Sequence, residues 1–118
     1  MIEITALWRG VDYKTYIMYV EDGKMIPSKQ KMFGNRKMLF FVGDFSSAAS
    51  YANKYSKPIV LQFNDLDYKF YEIKQLEDVR GYYYTRKTID IDVITAVWKL
   101  DDKKSININD WHIIKKVE

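Results

Sequence analysis

The sequence predicts an α+β domain with a mixed, largely antiparallel sheet and two helices in the N-terminal half. Helical periodicity occurs twice, both times early, and strand-like segments dominate the rest of the chain. That order does not fit the steady strand–helix alternation of a doubly wound parallel sheet. With 118 residues and 47% apolar content, the chain has the size and the material for one core, so residues 1–118 read as a single domain.

Residues 2–8 alternate as a strand does, with Ile2, Ile4, Ala6 and Trp8 on one face and Glu3, Thr5 and Leu7 on the other, and the strand ends at Arg9-Gly10. Asp12 can cap a helix carrying Tyr13, Tyr16, Ile17 and Val20 at helical spacing, closed by Gly23. Met25 to Lys37 holds Pro27, Gly34, Lys29, Lys31, Arg36 and Lys37, and reads as an exposed, mobile loop. Met38–Val42 is a short strand. Asp44 or Ser46 caps a second helix, whose Ala48, Ala49, Tyr51, Ala52 and Tyr55 make a small-residue face for close packing.

Pro58 forces extension into Ile59–Phe63, a central strand by its apolar content. Asn64-Asp65 is a turn, Tyr68–Ile73 a strand, and Gln75–Arg80 a helical turn at most. Tyr82–Thr85 is a strand or an ordered loop. Thr88–Leu100 is the longest β-like stretch, broken by Asp101-Asp102. Ile106–Ile108 is short, and Trp111–Val117 is the last strand.

Composition excludes several kinds of chemistry. The absence of cysteine removes disulfides, zinc–thiolate sites and thiol nucleophiles, and fits a reducing compartment, with the cytoplasm the expected location. The opening residues lack a basic segment followed by a long apolar run, so no signal peptide is expected, and no apolar run suits a membrane span. A net charge of +3 permits an acidic partner without demanding nucleic acid. Walker, G-x-S-x-G, H-E-x-x-H and dinucleotide fingerprints are absent, and no metal site is expected.

Four features carry chemistry. His112, the one histidine, lies inside the last strand and suits a structural or surface role better than a general base. Arg9 ends a strand, where a guanidinium can fork onto a phosphate or take part in a surface ion pair. Asp90 and Asp92, two apart on an extended segment, share one face, as paired catalytic carboxylates or as two solvated acids. Tyr82, Tyr83 and Tyr84 beside Arg80, Arg86 and Lys87 could stack bases, anchor a protein partner, or simply form an edge strand.

Leu7-Trp8-Arg9-Gly10 resembles the first strand of the ADP-ribosyltransferase fold. The run Leu39 to Ala52, an aromatic strand leading into a capped, alanine-bearing helix, is similar to the family's next elements, and Pro58–Phe63 comes next in the expected place. The resemblance covers about the first half of the chain. It implies an NAD site held by Arg9, Gly10, Phe40, Phe41 and Ser46, with Phe40, Phe41 or Phe45 as a platform for nicotinamide. Where the family commonly has a glutamate pair on a late strand, this chain has Asp90 and Asp92; they would stabilise the oxocarbenium-like charge, with Asp92 as the inner acid. Aspartate is one methylene shorter, and a misplacement of about 1 Å can cost about 10²-fold. The implied activity, active or degenerate, is transfer of ADP-ribose from NAD to a macromolecule, a protein or a nucleic acid, with a protein favoured. The alternative is a non-enzymatic module that docks on a protein or nucleic acid and acts as a small inhibitor.

Overall fold

The computed structural model describes residues 6–31, 34–77, 81–100 and 103–116. Among these residues, ten strands and two α-helices occur in the order β1 Leu7–Asp12, α1 Tyr13–Asp22, β2 Lys24–Met25, β3 Ser28–Gln30, β4 Arg36–Val42, α2 Phe45–Ala52, β5 Pro58–Phe63, β6 Lys74–Gln75, β7 Tyr82–Thr85, β8 Ile89–Asp90, β9 Ala96–Leu100 and β10 Trp111–Lys116. Eight strands form one sheet, ordered β10-β9-β5-β1-β4-β7-β6 with β3 also on β4, while β2 and β8 form a separate pair. Every pairing is antiparallel. The α+β class and the two early helices are therefore as the sequence predicts.

β1 sits at the centre, and side-chain alternation divides its residues between two cores. Leu7 and Val11 join Tyr16 and Tyr19 of α1, Leu39 and Phe41 of β4, Ile59, Leu61 and Phe63 of β5, and Val97 of β9. Trp8 packs on the opposite face against Phe45, Ala48, Ala49 and Ala52 of α2, with Val60, Leu100 and Trp111. Phe45 is the hub there. The rings of Trp8, Trp98 and Trp111 all meet it edge-on, at centroid distances of 5.4, 5.7 and 5.5 Å, an arrangement favoured by the ring quadrupoles.

β1 runs on through Gly10 to Asp12 instead of stopping at Arg9-Gly10. Gly10 does not break the strand; it makes room for a helix. A Cβ placed there would lie 2.2 Å from the Ala48 carbonyl oxygen and 3.0 Å from the Ala52 nitrogen, so α2 rests directly on the β1 backbone. Gly23 takes the left-handed conformation (φ 71°) at the end of α1 and donates its N–H to the Val20 carbonyl, as predicted.

Four segments differ from expectation. In the basic 25–37 segment, of which Met32 and Phe33 lie outside the described residues, Ser28–Gln30 pairs with β4, with Lys29 opposite Lys37 and Gln30 opposite Arg36; this pairing is invisible in local periodicity, and the four cations are exposed as expected. Tyr68–Ile73 forms turns, with Asp67 Oδ1 accepting from Phe70 N at 2.9 Å and Glu72 at φ 51°. Tyr68, Tyr71 and Ile73 still face the core, but from a loop, while Phe70 is exposed. Thr88–Leu100 is interrupted by a 3-10 turn at Ile91–Val93. Ile106–Ile108 leads into a 3-10 turn at Ile108–Asp110 instead of forming a strand. Residues 2–5, Arg80, Asp101, Asp102 and Val117 lie outside the described residues.

The α2–β1 contact gives a direct test. Gly10→Ala pushes a methyl group into helix backbone that has no rotamer with which to yield, and should cost about 1–3 kcal/mol or more. Urea unfolding of the variant checks this, and an unchanged midpoint would mean that α2 does not sit this close.

Candidate functional site

Arg9 occupies the place where the sheet opens. β1 and β4 pair only at Trp8 and Val42. In that register Gly10 would face Phe40, but the strands have parted there. The Phe40 carbonyl instead accepts from Arg9 Nη1 at 3.1 Å, and Arg9 Nη2 donates to the Tyr19 hydroxyl at 2.9 Å. The guanidinium thus ties β1 to β4 across the gap and to α1 above it. Arg9 is half-buried, and its Nε is fully covered with no hydrogen-bond partner among the described residues. Among the described residues its charge meets no carboxylate, since the ion pair found there joins Lys87 to Glu72. The field of Arg9 reaches Tyr55: burial pushes that phenol up, the neighbouring Tyr51 adds to the rise, and the Arg9 charge opposes it.

The two aspartates do not form the expected pair on a strand face. Asp90 ends β8 opposite Lys24, and Asp92 lies in the 3-10 turn. A turn abolishes the period-2 alternation that would align residues two apart. Both are exposed. The Tyr71 hydroxyl donates to Asp90 Oδ2 at 3.4 Å. Ile89 and Ile94, flanking them, are buried in the same core as Leu7, Val11 and Tyr19, so both acids belong to the α1 side, as Arg9 does. No hydrogen bond or ion pair joins either acid to Arg9 among the described residues.

The remaining predicted residues split between faces. Phe41 is buried in the α1-side core and packs edge-on against Phe63 at 5.2 Å. Phe40 alternates to the α2 side and contributes its carbonyl to Arg9. Gly10 lies beneath α2. Ser46, in the first turn of α2, donates to Asp44 Oδ2 at 2.6 Å. Phe45 is committed to its three tryptophans. Arg9, Phe41, Asp90 and Asp92 therefore share one side of the sheet, and Gly10, Phe40 and Ser46 the other.

The tyrosine run forms β7 next to β4. Tyr83 packs on the core, Tyr82 is exposed, and Lys87 pairs with Glu72 at 3.0 Å. His112 is exposed on β10 opposite Lys99. No group of His, Asp or Glu side chains among the described residues could hold a metal ion. No helix there is long and apolar enough to cross a membrane.

Tyr19 is a site residue that the sequence pattern does not single out. A signal for it exists, because it comes three positions after Tyr16 and shares that helix face. Val20, expected on the core face, is 42% exposed, whereas Tyr19 is 3% exposed.

No protein-family model matches the chain, and no curated protein matches it significantly. Two crystal structures do share its fold. Protein CC0527 from Caulobacter crescentus superposes with a TM-score of 0.62 over 90% of this chain and 96% of its own, at 12% identity. A double mutant of the same protein gives the same values. At that identity the likeness is one of fold alone.

The Asp44 cap at the start of α2 also controls this region, since α2 covers β1. Ser47 N and Ser46 Oγ both donate to Asp44 Oδ2. Burial pushes the Asp44 carboxyl up, but these hydrogen bonds outweigh it and hold the group below its ordinary value. A depressed folded-state value means stability that is present above the unfolded carboxylate pKa of about 3.9 and is lost as pH falls through the folded value. Asp44→Ala should cost about 0.5–2 kcal/mol at neutral pH. Urea titrations should show the gap from the parent protein narrowing below about pH 4. Gaps of the same size at neutral pH and well below the folded carboxyl value would contradict the cap.

Proposed function

We propose that this chain is a degenerate ADP-ribosyltransferase-like domain that binds NAD, or the ADP-ribose part of it, at Arg9 without transferring it. The observation that carries the reading is the Arg9 guanidinium, held by Phe40 and Tyr19 and lacking a carboxylate among the described residues. A planar guanidinium fixed in advance loses little entropy when it binds a phosphate. The loss of transfer rests on Asp90 and Asp92. Neither stands on a strand aimed at Arg9, and both are in water, where a carboxylate stabilises developing positive charge far less than in a dry site.

NAD titration by calorimetry tests this, alongside an assay for nicotinamide release. NAD should bind and remain intact. Arg9→Gln should weaken binding by about 1.5–3 kcal/mol, the worth of a charge-assisted hydrogen bond. Asp92→Asn and Asp90→Asn should leave it unchanged. Nicotinamide release abolished by Asp92→Asn would restore the transferase. Absence of NAD binding, with specific capture of a protein partner, would favour the non-enzymatic docking module.

A further inference from the structure

A second cationic site lies on the β5 flank of β1, away from the gap that Arg9 spans. Where β5 begins, β9 ends and α1 starts, a cleft of about 430 Å³ is lined by Tyr13, Ser56, Lys57, Ile59, Lys99 and Lys104, among others. Three of these are lysines, and no carboxylate lines the cleft among the described residues. None of the three lysines forms an ion pair with a described acid.

The walls are fixed. Tyr13 N donates to Lys57 O at 2.9 Å, which ties the first residue of α1 to the segment entering β5. Lys99 is carried by a strand paired on both sides, and its Nζ sits 5.9 Å from the centre of the Tyr13 ring. Lys104 Nζ donates to the Tyr55 carbonyl. The segment bearing Lys104 is anchored at Ser105, whose carbonyl accepts from Asn53 Nδ2 at 2.9 Å and Trp111 Nε1 at 3.1 Å. Like charges gathered around one concavity repel one another unless an anion joins them. Lysine serves phosphate as a point charge with rotatable donors, and a hydroxyl-bearing rim, here Ser56 and Tyr13, adds donors of its own. The volume is within the range of small-molecule sites.

We propose that this cleft binds a small phosphorylated anion carrying at least two negative charges, with a diphosphate as the best match to three ammonium groups. The site is independent of the NAD reading at Arg9. Inorganic pyrophosphate is the probe, titrated by calorimetry into the full chain at low salt. Saturable binding should appear and should weaken as salt rises, because exposed charges are screened over about 10 Å at 0.1 M. The Lys57→Gln/Lys99→Gln double variant removes two exposed charges without touching the core. It should bind pyrophosphate about tenfold less tightly, with its melting temperature little changed. Arg9→Gln should bind pyrophosphate as the parent protein does. No saturable binding, equal binding by the lysine variant, or a loss caused by Arg9→Gln would each overturn the proposal. The two sites fail separately, because Arg9→Gln reports on NAD and the lysine pair on pyrophosphate.

Discussion

The sheet holds together at its centre through the Arg9 guanidinium. β1 and β4 separate after a single residue pair, and a parted sheet leaves backbone acceptors bare. A bare buried carbonyl costs about 1–3 kcal/mol. Arg9 supplies the Phe40 carbonyl with a donor from the side chain where a backbone N–H would otherwise stand, and its second nitrogen draws Tyr19, and with it α1, onto the same point. Covering this guanidinium removes the Nε from water without giving it a partner among the described residues. The molecule therefore keeps a fixed, incompletely satisfied cation where its central strand, its next strand and its first helix meet. Structural bridging and anion binding are compatible uses of such a group, because its fork has more donors than the two acceptors engaged.

The packing of the other face depends on the absence of a side chain at Gly10. α2 can lie on the β1 backbone only because nothing projects there, and its alanines keep the approach close. Phe45, at the start of α2, then gathers all three tryptophans of the chain. This face is filled. A nicotinamide platform at Phe45 would require dismantling the ring cluster. β10 is an edge strand, and its register shifts between Ile113 and Lys115, an irregularity that discourages edge-to-edge pairing.

The parts of this fold legible in the sequence are those whose order is local. α1 and its Gly23 cap, α2 and its Asp44 cap, and the apolar β5 each carry their own periodicity or capping chemistry. The parts that were not legible depend on partners distant in sequence. Lys29 and Lys37 form a ladder only because β4 is there to pair with β3. Tyr68, Tyr71 and Ile73 sit in a stretch that alternates like a strand, yet the Asp67 side chain captures the local backbone and folds them into turns. Ile89 to Leu100 is rich in β-branched residues, but Ile91 and Val93 pack on the core from a 3-10 turn, and that turn takes Asp92 off the strand that Asp90 ends. Arg9 could be named as a candidate from its place at a strand end. Its contacts were harder to read: Phe40 was named for its ring but contributes its carbonyl, and the one signal for Tyr19 is its place on the Tyr16 face of α1.

The central claim is the proposal that Arg9, a fixed cation with no carboxylate partner among the described residues, takes an anion. Proton–nitrogen correlation at the Arg9 Nε position reads this group directly. A covered N–H held by a rigid guanidinium should give a resolved signal that exchanges slowly with water, and that signal should move on addition of NAD as the remaining donors engage phosphate. The parent and Tyr19→Phe proteins should differ, the variant exchanging faster because one anchor is gone. An Arg9 signal averaged with solvent, or one that stays still while NAD saturates the protein, would contradict the account.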